Sequence, residues 1–164
     1  MSDSSTFGVE LVTPEAALFA GPATAVMLRT SEGDLTVLAG HTPLVGDVVP
    51  FVVRIERPDD TTESFCVHGG FVQVATAPGA AVGLVEDATG SERSTRVTLL
   101  AGVAEPVGAI DAARAQAARD AATARLAAVA ARDDEEAGVE RAAAERALAR
   151  AELRLEATQA VSVQ

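Results

Sequence analysis

Tryptophan, tyrosine and lysine are absent from these 164 residues, and only 3% of the side chains are aromatic. No core can be organised around large rings. With 48% hydrophobic content it must be assembled from Val, Leu, Ile and Ala. A single cysteine, Cys66, excludes an internal disulfide and leaves the redox compartment open. With only two histidines, His41 and His68, beside it, the four ligands of a structural zinc site are not there, and no metal is assigned. No run approaches the ~20 apolar residues of a membrane-spanning helix. The opening residues MSDSSTFG lack the basic start and apolar centre of a secretory signal. The expectation is a soluble chain on the cytoplasmic side with no direct membrane insertion. Positive charge is scarce too: thirteen arginines against 24 acids leave a net charge of −11. That argues against nucleic acid and anionic membranes as partners, since phosphate surfaces attract basic patches.

What is there falls into two textures. Up to about residue 107 the chain alternates with period two. Phe7, Val9 and Leu11 interleave with polar or small neighbours, as do Phe51, Val53 and Ile55, and Phe65 and Val67. Such alternation marks half-buried strands. Turn clusters separate them, among them Thr13-Pro14-Glu15, Ser31-Glu32-Gly33-Asp34 and Pro58-Asp59-Asp60. Many short strands at this spacing predict an all-β sandwich over residues 1–107.

From Ile110 the composition turns to Ala, Arg and Glu, all strong helix formers. Asp111 suits a helix N-cap. The acid-rich stretch from Arg132 to Gly138 reads as the turn of an antiparallel helical hairpin, with helices over about 111–131 and 136–158. Residues 108–164 thus form a second domain. Its apolar stripe is thin: Ala144, Leu148, Ala151 and Leu155 on one helix, Leu126 and Val129 on the other. Alanine contacts stabilise little, because each buried methylene is worth only ~0.8 kcal/mol. A hairpin that docks and undocks is the expectation. Arg146, Arg150 and Arg154, four apart, line one face with no acid three or four residues away, whereas Arg141 has Glu145 four residues on. That basic line is either a solvated face or a site for an anionic partner.

His41, in Gly40-His41-Thr42-Pro43, sits where a catalytic residue could sit. Catalysis would need a partner such as Asp47, Ser31, Cys66 or His68 within hydrogen-bond reach. The alternative to a binding loop is therefore a small stand-alone hydrolase or ligand-binding sandwich using His41. Gly69-Gly70 lacks the following helix of a phosphate loop and reads as a strand bend or close packing.

Four pieces occur in an order that resembles the epsilon subunit of F-type ATP synthase: Ser31-Glu32-Gly33-Asp34-Leu35, Gly40-His41-Thr42-Pro43-Leu44, His68-Gly69-Gly70-Phe71-Val72-Gln73-Val74 and Ile110-Asp111-Ala112-Ala113-Arg114-Ala115. The resemblance implies a ten-stranded sandwich followed by two antiparallel helices, in a non-catalytic subunit of the central rotor stalk. It implies as partners the gamma subunit, the ring of c subunits and, when the hairpin extends, the beta/alpha catalytic head, whose ATP hydrolysis the extended form restrains. Glu32 falls in the loop that faces the c ring in the family, and His41 in the loop near gamma. Glu105, Asp111, Arg114, Ala115, Arg150 and Arg154 match positions lining the site of a regulatory ATP, the only cofactor implied and not an obligatory one. The chain departs from the pattern in two places. Residues 76–95 form a longer hairpin, and Ala121 falls where the family has a helix-one arginine. A proline and two glycines between Gly102 and Gly108 predict a loose linker.

Overall fold

A computed structural model describes residues 6–78 and 93–161. The contact pattern divides the chain into two compact units between Pro106 and Val107.

The first unit is built of β1 (Phe7–Val12), β2 (Ala17–Ala23), β3 (Ala25–Thr30), β4 (Gly33–Leu38), β5 (Leu44–Val48), β6 (Phe51–Glu56), β7 (Thr62–Val67), β8 (Gly70–Pro78), β9 (Arg93–Ala101) and β10 (Ala104–Pro106). The hydrogen-bonded order runs β10-β7-β6-β3-β5-β8-β9-β1-β2, with β4 on β3. The β3–β5 join is a single pair, Thr30 with Val48. The path therefore folds into two layers, β10-β7-β6-β3-β4 and β5-β8-β9-β1-β2. All pairings are antiparallel except β1 with β9. The expected all-β sandwich is present, with Val26, Leu28, Val53, Ile55, Phe65 and Val67 from one layer facing Val9, Leu11, Val72, Val74, Val97 and Leu99 from the other in one buried cluster. Each such side chain contributes roughly 1.5–3 kcal/mol on burial. Phe19 meets Phe65 edge to face, the one ring pair among the described residues.

The bend at Gly69-Gly70 is a close-packing device. Gly70 has φ +155°, and a Cβ there would stand 2.1 Å from the Leu100 carbonyl oxygen. Only glycine lets the start of β8 approach β9 so closely. The long β8–β9 ladder continues to Pro78 paired with Arg93. The expected hairpin over residues 76–95 has its tip, 79–92, outside the described residues. The loose linker predicted between Gly102 and Gly108 is ordered instead. Ala104, Glu105 and Pro106 pair with Val67, Cys66 and Phe65 as β10, and Val107–Ala109 form a 3-10 turn. Pro106 ends the strand, where its missing N–H costs no ladder bond.

In the second unit the 3-10 turn leads to α1 (Ala112–Val129) and α2 (Glu135–Val161), which pack along each other. Ala115, Ala122 and Val129 are buried on α1, and Ala137, Ala144 and Ala151 on α2. Both sets recur every seven residues, the spacing that keeps one seam facing a partner helix. α2 begins a residue earlier than expected because Asp134 is its cap: Oδ1 accepts from the Ala137 amide at 2.8 Å. Glu135 and Glu136 then fall in the first turn, where the helix dipole favours acids.

Candidate functional site

Three regions carry the candidate residues. The first is the β3–β4 turn. Thr30 Oγ1 donates to Gly33 O and accepts from the Glu32 amide, which pins the turn and leaves Glu32 exposed at its tip. Arg29 pairs with Asp34 across the turn and stacks 4.6 Å above the Phe51 ring. The Arg29 guanidinium beside Asp34 holds its carboxyl below the usual range. Glu32 is thus presented on a braced hairpin as a fixed acidic point.

The second is the β4–β5 loop. Gly40 takes φ +80° and its amide donates to the buried Thr95 hydroxyl at 2.8 Å. The His41 amide donates to Leu38 O at 3.1 Å, and its Nδ1 lies 2.8 Å from Thr42 O. The half-buried ring is engaged with its own loop. Asp47 and Ser31 meet only through backbone, the Ser31 amide donating to Asp47 O at 3.1 Å. His68 lies elsewhere, its Nε2 3.4 Å from Glu105 Oε1, with side-chain exposures of 3% and 30%. Cys66, two residues before it, is buried and lies opposite Glu105 in the β7–β10 register. The hydrolase alternative finds no support, for the groups it needs are not gathered around His41.

Beside this loop lies a feature that sequence reading missed. Phe71 on β8 faces Leu100 on β9 in register, and Leu100 faces the half-buried Val12 on β1. Val45 projects from the neighbouring β5, level with Gln73. Val45, Phe71 and Leu100 are 74%, 55% and 51% exposed. The signal was in the sequence: Phe71-Val72 and Leu99-Leu100 place apolar residues on both parities of an alternating strand, which buries one and exposes the other.

The third region carries the residues that the family resemblance matches to a nucleotide site. Asp111 is the N-cap of α1; its Oδ1 accepts from the Arg114 amide at 3.0 Å. Arg114 is exposed and Ala115 buried. On α2, Arg146 and Arg150 are exposed and make no ion pair with a described acid, whereas Arg154 is half-buried and engaged with a partner. The line of three unpartnered arginines expected from sequence is therefore a pair. The expected Arg141–Glu145 pairing is replaced as well: the Arg141 guanidinium donates to Val129 O and Arg132 O, leaving Glu145 exposed. Glu105, in the first unit, is turned to His68. Asp111, Arg114, Ala115, Arg150 and Arg154 share the second unit. Exposed guanidiniums such as Arg114 and Arg150 can bind phosphate oxygens.

The sequence model described as ATP synthase, Delta/Epsilon chain, beta-sandwich domain matches residues 6–78. The ATP synthase epsilon chain of Desulforudis audaxviator is 39% identical over 124 residues, 76% of this chain and 77% of that one. The epsilon chain of Brucella canis is 43% identical over 86 residues, 52% of this chain and 62% of its own length. A chain in the mitochondrial ATP synthase of Euglena gracilis shares the fold, with a TM-score of 0.67 at 22% identity, covering all of this chain and 87% of that one. Among the described residues no helix is long and apolar enough to cross a membrane. With that length of alignment to a relative over three quarters of both chains, this protein belongs to the ATP synthase epsilon chain family.

Proposed function

We propose that this epsilon chain serves as a non-catalytic rotor subunit of the central stalk, joining gamma to the c ring and restraining ATP hydrolysis through its helical hairpin. The observation that carries the reading is the outward strip of Val45, Phe71 and Leu100 on a rigid sandwich. A large apolar strip on a small acidic protein is costly in water and suits a partner surface. Gamma is that partner, with the His41 loop at its margin and Glu32 turned to the c ring. The complex is peripheral, on the cytoplasmic face of the cell membrane. The hairpin is suited to regulation because its alanine seam stabilises each helix little against the other, so a ligand or partner that prefers one arrangement shifts the population toward it.

A regulatory ATP is the ligand best suited to the hairpin's cations. Arg114 and Arg150 would meet its phosphates, with Arg154 and Ala115 on the same two helices and Asp111 holding the helix start. The test has two parts. Catalytic head carrying the chain without residues 110–164 should hydrolyse ATP several-fold faster than head carrying the whole chain; equal rates would remove the inhibitory role. Titration of the whole chain with Mg-free ATP should show binding that Arg114→Ala weakens. Equally negligible binding by both would remove the nucleotide and leave the rotor assignment standing.

A further inference from the structure

We propose that Arg141 is the latch of the hairpin, the side chain whose release lets α2 swing away from α1. The last carbonyls of any helix lack partners within it. At the end of α1, Val129 O accepts from the Arg132 amide at 3.2 Å and also from the Arg141 guanidinium at 3.3 Å, and Arg141 donates as well to Arg132 O in the turn at 3.1 Å. The turn answers in the other direction. Arg132 reaches α2 through Glu140 at 3.1 Å, and it also holds Asp134 at 3.1 Å, the residue that caps α2. Two guanidiniums therefore cross the same turn in opposite senses, one tying the end of α1 to α2 and the other tying the turn to α2. Guanidinium hydrogen bonds are charge-assisted and directional. Apart from Val129, the buried side chains of the two helices are alanines, which hold register but contribute little free energy. Arg132 also holds Glu140 of α2, but when that pair breaks it keeps Asp134 within its own turn. Arg141 has no such local partner: α2 leaves α1 only if its guanidinium gives up both Val129 O and Arg132 O. The latch stands on this geometry; only the use made of the opened hairpin rests on the function proposed above.

The test uses the whole chain with spin labels at Ala113→Cys and Gln159→Cys, both exposed and near the open end of the hairpin. Cys66 is fully buried and stays unlabelled. Arg141→Met keeps the stem and the helix propensity but removes the donors. The parent should give one short inter-label distance. R141M should raise the fraction at long distance about tenfold, as loss of a charged hydrogen bond implies, with helicity by circular dichroism unchanged. Arg125→Met, at an exposed position on α1, should match the parent. If R141M loses helicity, Arg141→Gln, which keeps a shorter polar side chain, decides in its place. Parental distances in both variants, or loss of helicity in both, overturn the latch. An opened hairpin that leaves the ATPase of the assembled complex unchanged supports the latch and removes the regulatory use of it.

Discussion

A Cβ placed on Gly70 would stand 2.1 Å from the carbonyl oxygen of Leu100 and 2.9 Å from the Cα of Ala101. The obstacle is backbone, which no rotamer change can relieve. Gly70→Ala therefore combines a positive φ with a displaced β9, and each effect costs about 1–3 kcal/mol. The sandwich transition should fall by roughly 10–20 °C. Gly46→Ala is the contrast: its Cβ would meet Thr30 and Val72 side chains at 3.6 and 3.7 Å, ordinary contact. Its melting curve should stay within a few degrees of the parent. Equal melting of both variants would show that the β8–β9 approach is not as tight as the backbone implies.

Much of this was legible in the sequence, and the misses share a cause. Phe7, Val9, Leu11, Val53, Ile55, Phe65 and Val67 announced their strands because burial on one face forces alternation. Asp111 announced α1 because few residues cap a helix well. The β10 pairing of Glu105 with Cys66 was hidden, since three residues around a proline show no period. Arg141 was read against Glu145, its helical neighbour, because intrahelical spacing is visible in sequence and a carbonyl twelve residues back is not. Phe71 stands in the sequence only as part of a family motif, and nothing local links it to Leu100. That they face outward together follows only from register. Local chemistry can be read from spacing, while partnerships across elements need the fold.

Asp111 offers a way to separate capping from ligand contact. Asn caps as well as Asp but carries no charge. Asp111→Ala should lower the stability of α1 by about 1 kcal/mol, read as faster exchange of the Arg114 amide, while Asp111→Asn should stay within a few tenths. If ATP binds by way of the Asp111 charge, D111N should lose affinity with its helix intact. Parental affinity in D111N would assign Asp111 to the cap alone.

Asp134 makes the hairpin turn sensitive to acid. Its carboxyl is held below the ordinary value of 3.8, first by the Ala137 amide and then by the Arg132 guanidinium. A depressed folded pKa means that the stabilisation is fully present above the unfolded value and is lost as pH falls through the folded one. Amides in the first turn of α2 should therefore keep their protection, corrected for intrinsic rate, from neutrality down to about pH 4 and lose it below. Asp134→Asn keeps the cap and should lose this pH dependence, because its amide does not titrate in that range. Matching pH profiles for the parent and D134N would detach the acid response from this residue.

The apolar strip makes the last prediction, and it turns on exposure. Phe71 is half uncovered, so Phe71→Ser removes little from the core of the isolated chain and should shift its melting by only a few degrees. Its inward neighbour Val72 is fully buried, and Val72→Ser should destabilise the sandwich by ~1–3 kcal/mol. Binding should respond in the opposite order. If gamma covers the strip, an aromatic near its centre acts as an anchor whose truncation costs about 2 kcal/mol or more, a thirtyfold loss of affinity. Gln73→Ser, outward on the same strand two residues on, should cost less than 1 kcal/mol. Titration of purified gamma with the three variants separates the effects: weak binding by F71S at parental stability places gamma on this face, and parental binding by F71S moves it elsewhere.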